Sequence, residues 1–241
     1  ALSARAAITG QWDFDSGNLS ATIGQDMCYM DVDTEAGTQF GTTTSFGIPS
    51  IGGQEAKVMK FPKTAPEYGG YYAAHGANPN GGGLSLNQYT IIMDILFPTA
   101  SSGKVRALLK TDMSFGGAAP NADFLVNAAN QIGVDGGSFD GLVSPDTWHR
   151  LAFAVDLAAT PPVVDKFIDG VKVGSQTVSG VDSRWSAGSI FYFFYDDNGE
   201  TELGYLNSLQ ISDTKLSDGL IAALGGPAAG GILTGPPPNP Y

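Results

Sequence analysis

Three groups of side chains in this 241-residue chain are of types that do chemistry. Asp196-Asp197-Asn198-Gly199-Glu200, with Glu202 just beyond, gathers carboxylates around a glycine. Such a set can ligate Ca²⁺, which takes about 6–8 oxygens. It is equally turn chemistry, since Asp and Asn side chains bond their own backbone, and the EF-hand spacing is absent. Glu200 and Glu202, two residues apart, would share a face of a strand. Glycoside hydrolysis needs two carboxyls about 5–10 Å apart, so the pair is a catalytic candidate. His149-Arg150, next to Trp148, offers a base and a cation, or simply an ordinary strand.

The third group is Tyr68, Tyr71, Tyr72, His75, Asn78, Asn80 and Trp185, in glycine-rich or polar segments where exposure is expected. Sugars stack their C–H faces on aromatic rings and bond to amides and carboxylates, so these are candidate glycan contacts. Tyr71 and Tyr72 fit a partly buried strand equally well. Trp12 and Trp148 are assigned to the core. Cys28 is the only cysteine. It excludes an internal disulfide and reads as a small buried apolar residue. No Ser-His-Asp order, Cys/His metal spacing or phosphate-binding loop is present, and Gly81-Gly82-Gly83 reads as a loop.

The elements that must hold these groups are short strands. Tyr89–Phe97 is β-branched and aromatic and stops at Pro98. His149–Asp156, Ser189–Tyr195 and Gly204–Ile211 follow the same logic, and Lys57–Phe61 and Gly70–Ala73 are weaker. Asp165–Ile168 and Lys172–Gln176 flank Asp169-Gly170, a strong hairpin signal. The spacing predicts one helix, Asp218–Leu224, with a Ser217 cap and a Gly225-Gly226 stop. Strands without intervening helical periodicity imply an all-β sandwich or barrel. The expected organisation is one domain over residues 1–234, followed by a Pro-rich tail or linker at 235–241.

Composition narrows the partners. The chain is 42% apolar and 15% charged, with 33 glycines. That is enough apolar residue for a sizeable core and too little charge for a disordered chain. A net charge of −12 argues against nucleic acid and anionic lipid surfaces. No apolar run nears the roughly 20 residues of a membrane span. The small-residue start Ala1-Leu2-Ser3-Ala4 resembles a mature terminus after signal cleavage, so a secreted, periplasmic or cell-surface location is expected.

Three segments carry a family resemblance. Gly10-Gln11-Trp12-Asp13-Phe14-Asp15 is similar to the opening strand of pentraxin-related laminin-G domains. Thr147–Ala152 with Phe167-Ile168-Asp169-Gly170 through Gly174 looks like that family's Trp-His strand and Asp-Gly hairpin. Leu206–Asp213 with Leu216-Ser217 resembles its closing strand. The resemblance runs from Gly10 to about Leu224 and implies a two-sheet antiparallel jelly roll of the concanavalin A-like lectin and glucanase class. It implies a structural calcium, with Asp15 on the first strand and Asn207 where the family often has Asp. It also implies a polysaccharide or glycan partner and neighbouring domains in a larger secreted protein.

The scaffold hosts binding modules, hydrolases and lyases alike. The hydrolase pattern Glu-x-Asp-x-x-Glu is absent, and Gln88-Tyr89 with His149-Arg150 is the nearest echo of the lyases. The expected function is therefore a non-catalytic, calcium-stabilised carbohydrate-binding or adhesion module. The alternative is a polysaccharide hydrolase or lyase using Glu200, Glu202, His149 or Arg150.

Overall fold

The computed structural model describes residues 7–111 and 121–234. The first four residues, most of the Ser114–Asn121 loop and the 235–241 tail lie outside the described residues. In chain order the elements are β1 (Ile8–Trp12), β2 (Cys28–Tyr29), α1 (Val32–Gly37), β3 (Gln39–Thr42), β4 (Lys57–Phe61) and β5 (Tyr71–Ala74). They continue with β6 (Gln88–Leu96), β7 (Arg106–Lys110), β8 (Phe124–Val126), β9 (Ile132–Val134), β10 (Phe139–Asp140) and β11 (His149–Asp156). The last are β12 (Val163–Ile168), β13 (Val171–Thr177), β14 (Ile190–Phe193), β15 (Gly204–Ser212) and α2 (Asp218–Leu224).

Two antiparallel sheets result. One has eight strands, in the order β13-β12-β11-β6-β15-β4-β3, with β1 also on β15. The other has seven, β10-β9-β8-β7-β14-β5-β2. This is the expected all-β jelly-roll sandwich. Alternation along each central strand divides the side chains. Leu151, Phe153 and Val155 of β11, Ile91, Met93 and Ile95 of β6, and Leu209 and Ile211 of β15 point inward. Trp12 joins them there, while Trp148 is buried in a smaller cluster with Ile51, Val58 and Leu96.

The Asp169-Gly170 hairpin forms as expected. Both residues take positive φ, 52° and 80°, as a two-residue turn matched to strand twist requires. Asp169 also receives the Arg150 backbone N–H at 2.8 Å, tying the turn to β11. The Ser217 hydroxyl caps α2 by accepting from Leu220 N. A second short helix, α1, is an addition to the single helix expected. Asp31 starts it, with its carboxylate accepting from Thr34 N at 2.5 Å. No described helix is long and apolar enough to cross a membrane.

The outer face of the eight-stranded sheet is covered. Ile92, Ala152, Ala154 and Phe167 on that face meet Ile221 of α2 and Ile232 of the following segment. A sheet face that in an open jelly roll would form a groove is filled by the chain's own C-terminal portion.

Candidate functional site

Most of the chemistry-bearing residues turn out to be engaged by the fold itself. Asp196 is buried, and its Oδ1 accepts from the backbone of Asn198 and Glu200, both at 3.0 Å. Its Oδ2 accepts from Ala122 N. This is an Asx-type turn that uses the carboxylate to bond backbone. Glu202 is clamped by Lys63 and Lys104, each at 3.0 Å. Burial pushes Glu200 up, with Asp196 adding to the effect, whereas the two lysines outweigh burial and hold Glu202 down. Neither Glu200 nor Glu202 lies in a strand, and the two lysines hold one of the pair.

His149 and Arg150 are likewise engaged by neighbouring groups. His149 places Nδ1 2.8 Å from Asp169 Oδ2, and its Nε2 accepts from Ser144 N. Both ring nitrogens are used. Arg150 bonds Asp94 through two nitrogens at 2.6 and 2.7 Å, both residues being buried. Burial pushes the Asp94 carboxyl up against the pull of Arg150. Gln88 of the lyase-like pair donates to Asp156.

The aromatic and amide candidates divide. Tyr71 is fully buried, with its hydroxyl 2.5 Å from that of Thr38. His75 is buried, bonding the Gly188 carbonyl and accepting from Ala77 N. Asn80 staples its loop: its amide donates to the Gln88 and Asp213 carbonyls and its Oδ1 accepts from Asn87 N and Gln88 N. All three depart from the exposed set, Tyr71 as the buried strand residue that its second reading allowed, and His75 and Asn80 because they bond loop backbone. A glycine-rich loop is held in one shape only if something satisfies its backbone. Tyr68 and Asn78 are exposed, and Tyr72 is half-buried on the solvent side of the seven-stranded sheet, opposite Tyr192.

Trp185 differs in another way. It is 7% exposed rather than open, yet it lines a cavity of about 310 Å³ between the sheet edges. The β9–β10 turn, Asp135 to Gly137, forms one side. The end of β13 and the residues after it, Gln176 to Ser179, form the other. The Arg184 guanidinium lies 4.9 Å from the Trp185 ring and bridges Asp123 at 2.9 Å and Asp135 at 2.7 Å. Burial opposes its charge, but the two carboxylates outweigh burial and raise its pKa. Tyr89 donates to the Trp185 carbonyl and Phe124 packs edge-on against the ring. Trp12 and Trp148 donate their indole N–H groups to the Gln25 and Pro49 carbonyls. Among the described residues Trp185 Nε1 has no such acceptor.

The metal candidates do not converge. Among the described residues no group of three or more His, Cys, Asp or Glu side chains could hold an ion. Asp15 is exposed and its carbonyl takes the Lys57 ammonium at 2.6 Å. Asn207 is buried, donates to the Lys57 carbonyl, and leaves its Oδ1 without a partner. Asp197 Oδ1 is likewise buried without a partner, so each of the two candidate groups leaves one oxygen that a cation would satisfy. A single free oxygen falls well short of the roughly 6–8 ligands calcium takes. The Asp15 and Asn207 residues as they stand therefore do not form a calcium cage.

No family model matches the chain, and no curated protein matches it. Solved structures do. Domain 4 of AbnA, a GH43 extracellular arabinanase from Geobacillus stearothermophilus, in complex with arabinotriose, is 17% identical with a TM-score of 0.58. That match covers 92% of this chain and 100% of the other. The botulinum neurotoxin type G receptor binding domain is 12% identical, with a TM-score of 0.55 over 90% of this chain and 50% of that one. The binding domain of Paraclostridial Mosquitocidal Protein 1 gives 13% and 0.55, over 90% and 51%. At these identities the likeness establishes the fold alone, a two-sheet jelly-roll sandwich.

Proposed function

We propose that the chain is a non-catalytic carbohydrate-binding module and that the Trp185 cavity is its binding site. One observation carries the reading: an indole with an unengaged N–H lines a cavity beside the Asp135 carboxylate and the exposed hydroxyls of Thr177 and Ser179. That mixture of an aromatic ring with convergent polar groups suits a sugar residue. The cavity, at about 310 Å³, falls at the small end of ligand sites. The arabinotriose-bound neighbour supports the same ligand class. Support for the absence of catalysis comes from Glu202, His149 and Arg150, each consumed by an ion pair or backbone bond.

The laminin-G resemblance, an extracellular location and attachment to further domains belong to this proposal, since the neighbour is itself one domain of an extracellular enzyme. Calcium binding at the Asn207 end belongs to it only if Lys57 and the adjoining backbone move. Chelation that leaves the melting temperature unchanged would remove it, because a ligand bound only by the folded state raises stability.

Arabino-oligosaccharides and a panel of neutral polysaccharides test the main reading. Binding should change the Trp185 fluorescence without releasing reducing ends. Ser179→Arg, at an exposed rim position, should weaken binding more than tenfold. Binding that is untouched by Ser179→Arg would move the site elsewhere, and reducing-end release would make the chain an enzyme.

A further inference from the structure

Arg184 sets the charge character of the Trp185 cavity. An arginine laid over an indole suits the capture of a carboxylate, because the guanidinium offers a planar fork of donors. By residue type alone the cavity would take acidic sugars. The geometry reverses this. Arg184 Nε donates to Asp123 at 2.9 Å and Nη2 donates to Asp135 at 2.7 Å, so two arms of the fork already hold carboxylates. Asp123 is fully buried and lies 3.4 Å from the Lys110 ammonium as well. Lys166, beyond the β9–β10 turn, is spent in the same way, on Asp140 at 2.5 Å and the Ser138 carbonyl at 2.8 Å.

The acidic turn after β14 adds to the same region. Asp196 Oδ2 accepts from Ala122 N at 3.2 Å, one residue before Asp123, and the Asp123 carbonyl accepts from Asp135 N at 3.0 Å. The charge of Asp135 reaches that turn, where it adds to the upward push on the Glu200 carboxyl. Among the described residues, Asp123, Asp135, Asp196, Asp197 and Glu200 gather around Arg184 and Lys110, five carboxylates to two cations. Asp135 lines the cavity itself. A ligand carboxylate arriving there meets negative charge, and the cations that could receive it are already paired. Like charges a few ångströms apart repel more strongly beside a protein than in bulk water, because the effective dielectric is lower. Arg184 keeps Nη1, which bonds no group among the described residues. One donor suits an uncharged hydroxyl oxygen.

We propose that the Trp185 cavity selects neutral sugars and turns away acidic ones, and that Arg184 serves it as a hydroxyl donor through Nη1 and not as a carboxylate clamp. The inference rests on the glycan reading above and names the substrate class of that same site.

Matched ligands that differ in charge test it. Each neutral oligosaccharide of the panel, arabinotriose first, is compared with its own primary-hydroxyl oxidation product and with the methyl ester of that acid, using Trp185 fluorescence. At low salt the acid should bind about tenfold or more weakly than its neutral parent, and the ester should recover most of the loss, since it keeps the acid's shape without its charge. The gap should narrow in about 1 M salt, where the screening length falls to about 3 Å, and it should narrow again in Asp135→Asn. An acid that binds as well as its parent or better, or an ester that binds no better than the acid, overturns the charge selection while leaving the Trp185 site in place. A panel in which no member, neutral or acidic, changes the fluorescence ends both readings.

Discussion

Two polar regions of this sandwich invite a functional reading, and they differ in what their groups have left to offer. Under the C-terminal segment, Asp94 and Arg150 are buried and bonded to each other and to the chain passing over them. Beside Trp185, the Arg184 guanidinium bridges two carboxylates, but the Asp135, Thr177 and Ser179 side of the cavity is open to solvent. Residue type alone does not separate the two. What separates them is whether the fold has already satisfied each donor and acceptor, since a satisfied group has little to give a ligand.

The sharpest way to test that difference is to remove one partner from the closed region. Arg150→Ala leaves Asp94 buried and unpaired, which typically costs about 3–5 kcal/mol. Urea denaturation should show that loss, with much of it recovered in Arg150→Met/Asp94→Leu. If Arg150→Ala were nearly neutral, the region would be as open as the Trp185 cavity and the contrast would collapse.

The matching change in the open region is Asp135→Asn. Its pairing with Arg184 is partly exposed, so the loss in stability should stay within about 1 kcal/mol. Binding should fall by a larger factor, because Arg184 loses one of the two carboxylates that hold it over the indole. Calorimetry and a denaturation curve on the same variant separate the two effects. A stability loss as large as that of Arg150→Ala would make Asp135 a structural residue.

The sheet architecture was largely readable because its signals are local. β4 and β11 match their predicted limits residue for residue, and the Asp169-Gly170 turn has the backbone its composition demands. β7 was not readable. Arg106-Ala-Leu-Leu-Lys110 is made of helix-favouring residues, and it becomes a strand because every one of its side chains is buried. The polar neighbours of Trp185 imply an exposed loop, whereas Arg184 and Phe124 pack it into a cavity wall. Nothing local marks Asp135 or Gln176 as its companions, since strand order alone brings β9 and β13 to that edge. His75 and Asn80 show the converse, residues of binding type recruited to hold a loop, while Tyr71 is a buried strand residue.

A smaller effect tests the closed region through pH. Bonds from His149 and the Arg150 backbone outweigh burial and hold Asp169 below the ordinary carboxylate range. A depressed folded pKa gives stability that is present above the unfolded value, about 3.9, and is lost as pH falls through the folded one. Asp169→Asn should therefore lower the melting temperature at pH 7, with the gap to the parent closing in strong acid. A gap that widened on acidification would reverse the assigned sign.

The smallest expected change concerns the two glutamates that first suggested catalysis. Glu200 has a raised pKa from burial and from Asp196, so its charged form is disfavoured by the fold. A raised folded pKa gives stability only below it, and that stability is gone at neutral pH. Glu202 is the opposite case, its charge held by Lys63 and Lys104. Glu200→Gln should then raise the melting temperature at pH 7, by no more than about 2 °C for a partly exposed group. Glu202→Gln should lower it by a similar amount, since two lysines lose their partner. Equal losses in both variants would mean that the two carboxylates act as one unit, as a catalytic pair would, and would reopen the hydrolase reading. Opposite signs would leave each glutamate answering to its own neighbours, one to a crowded turn and one to a lysine clamp.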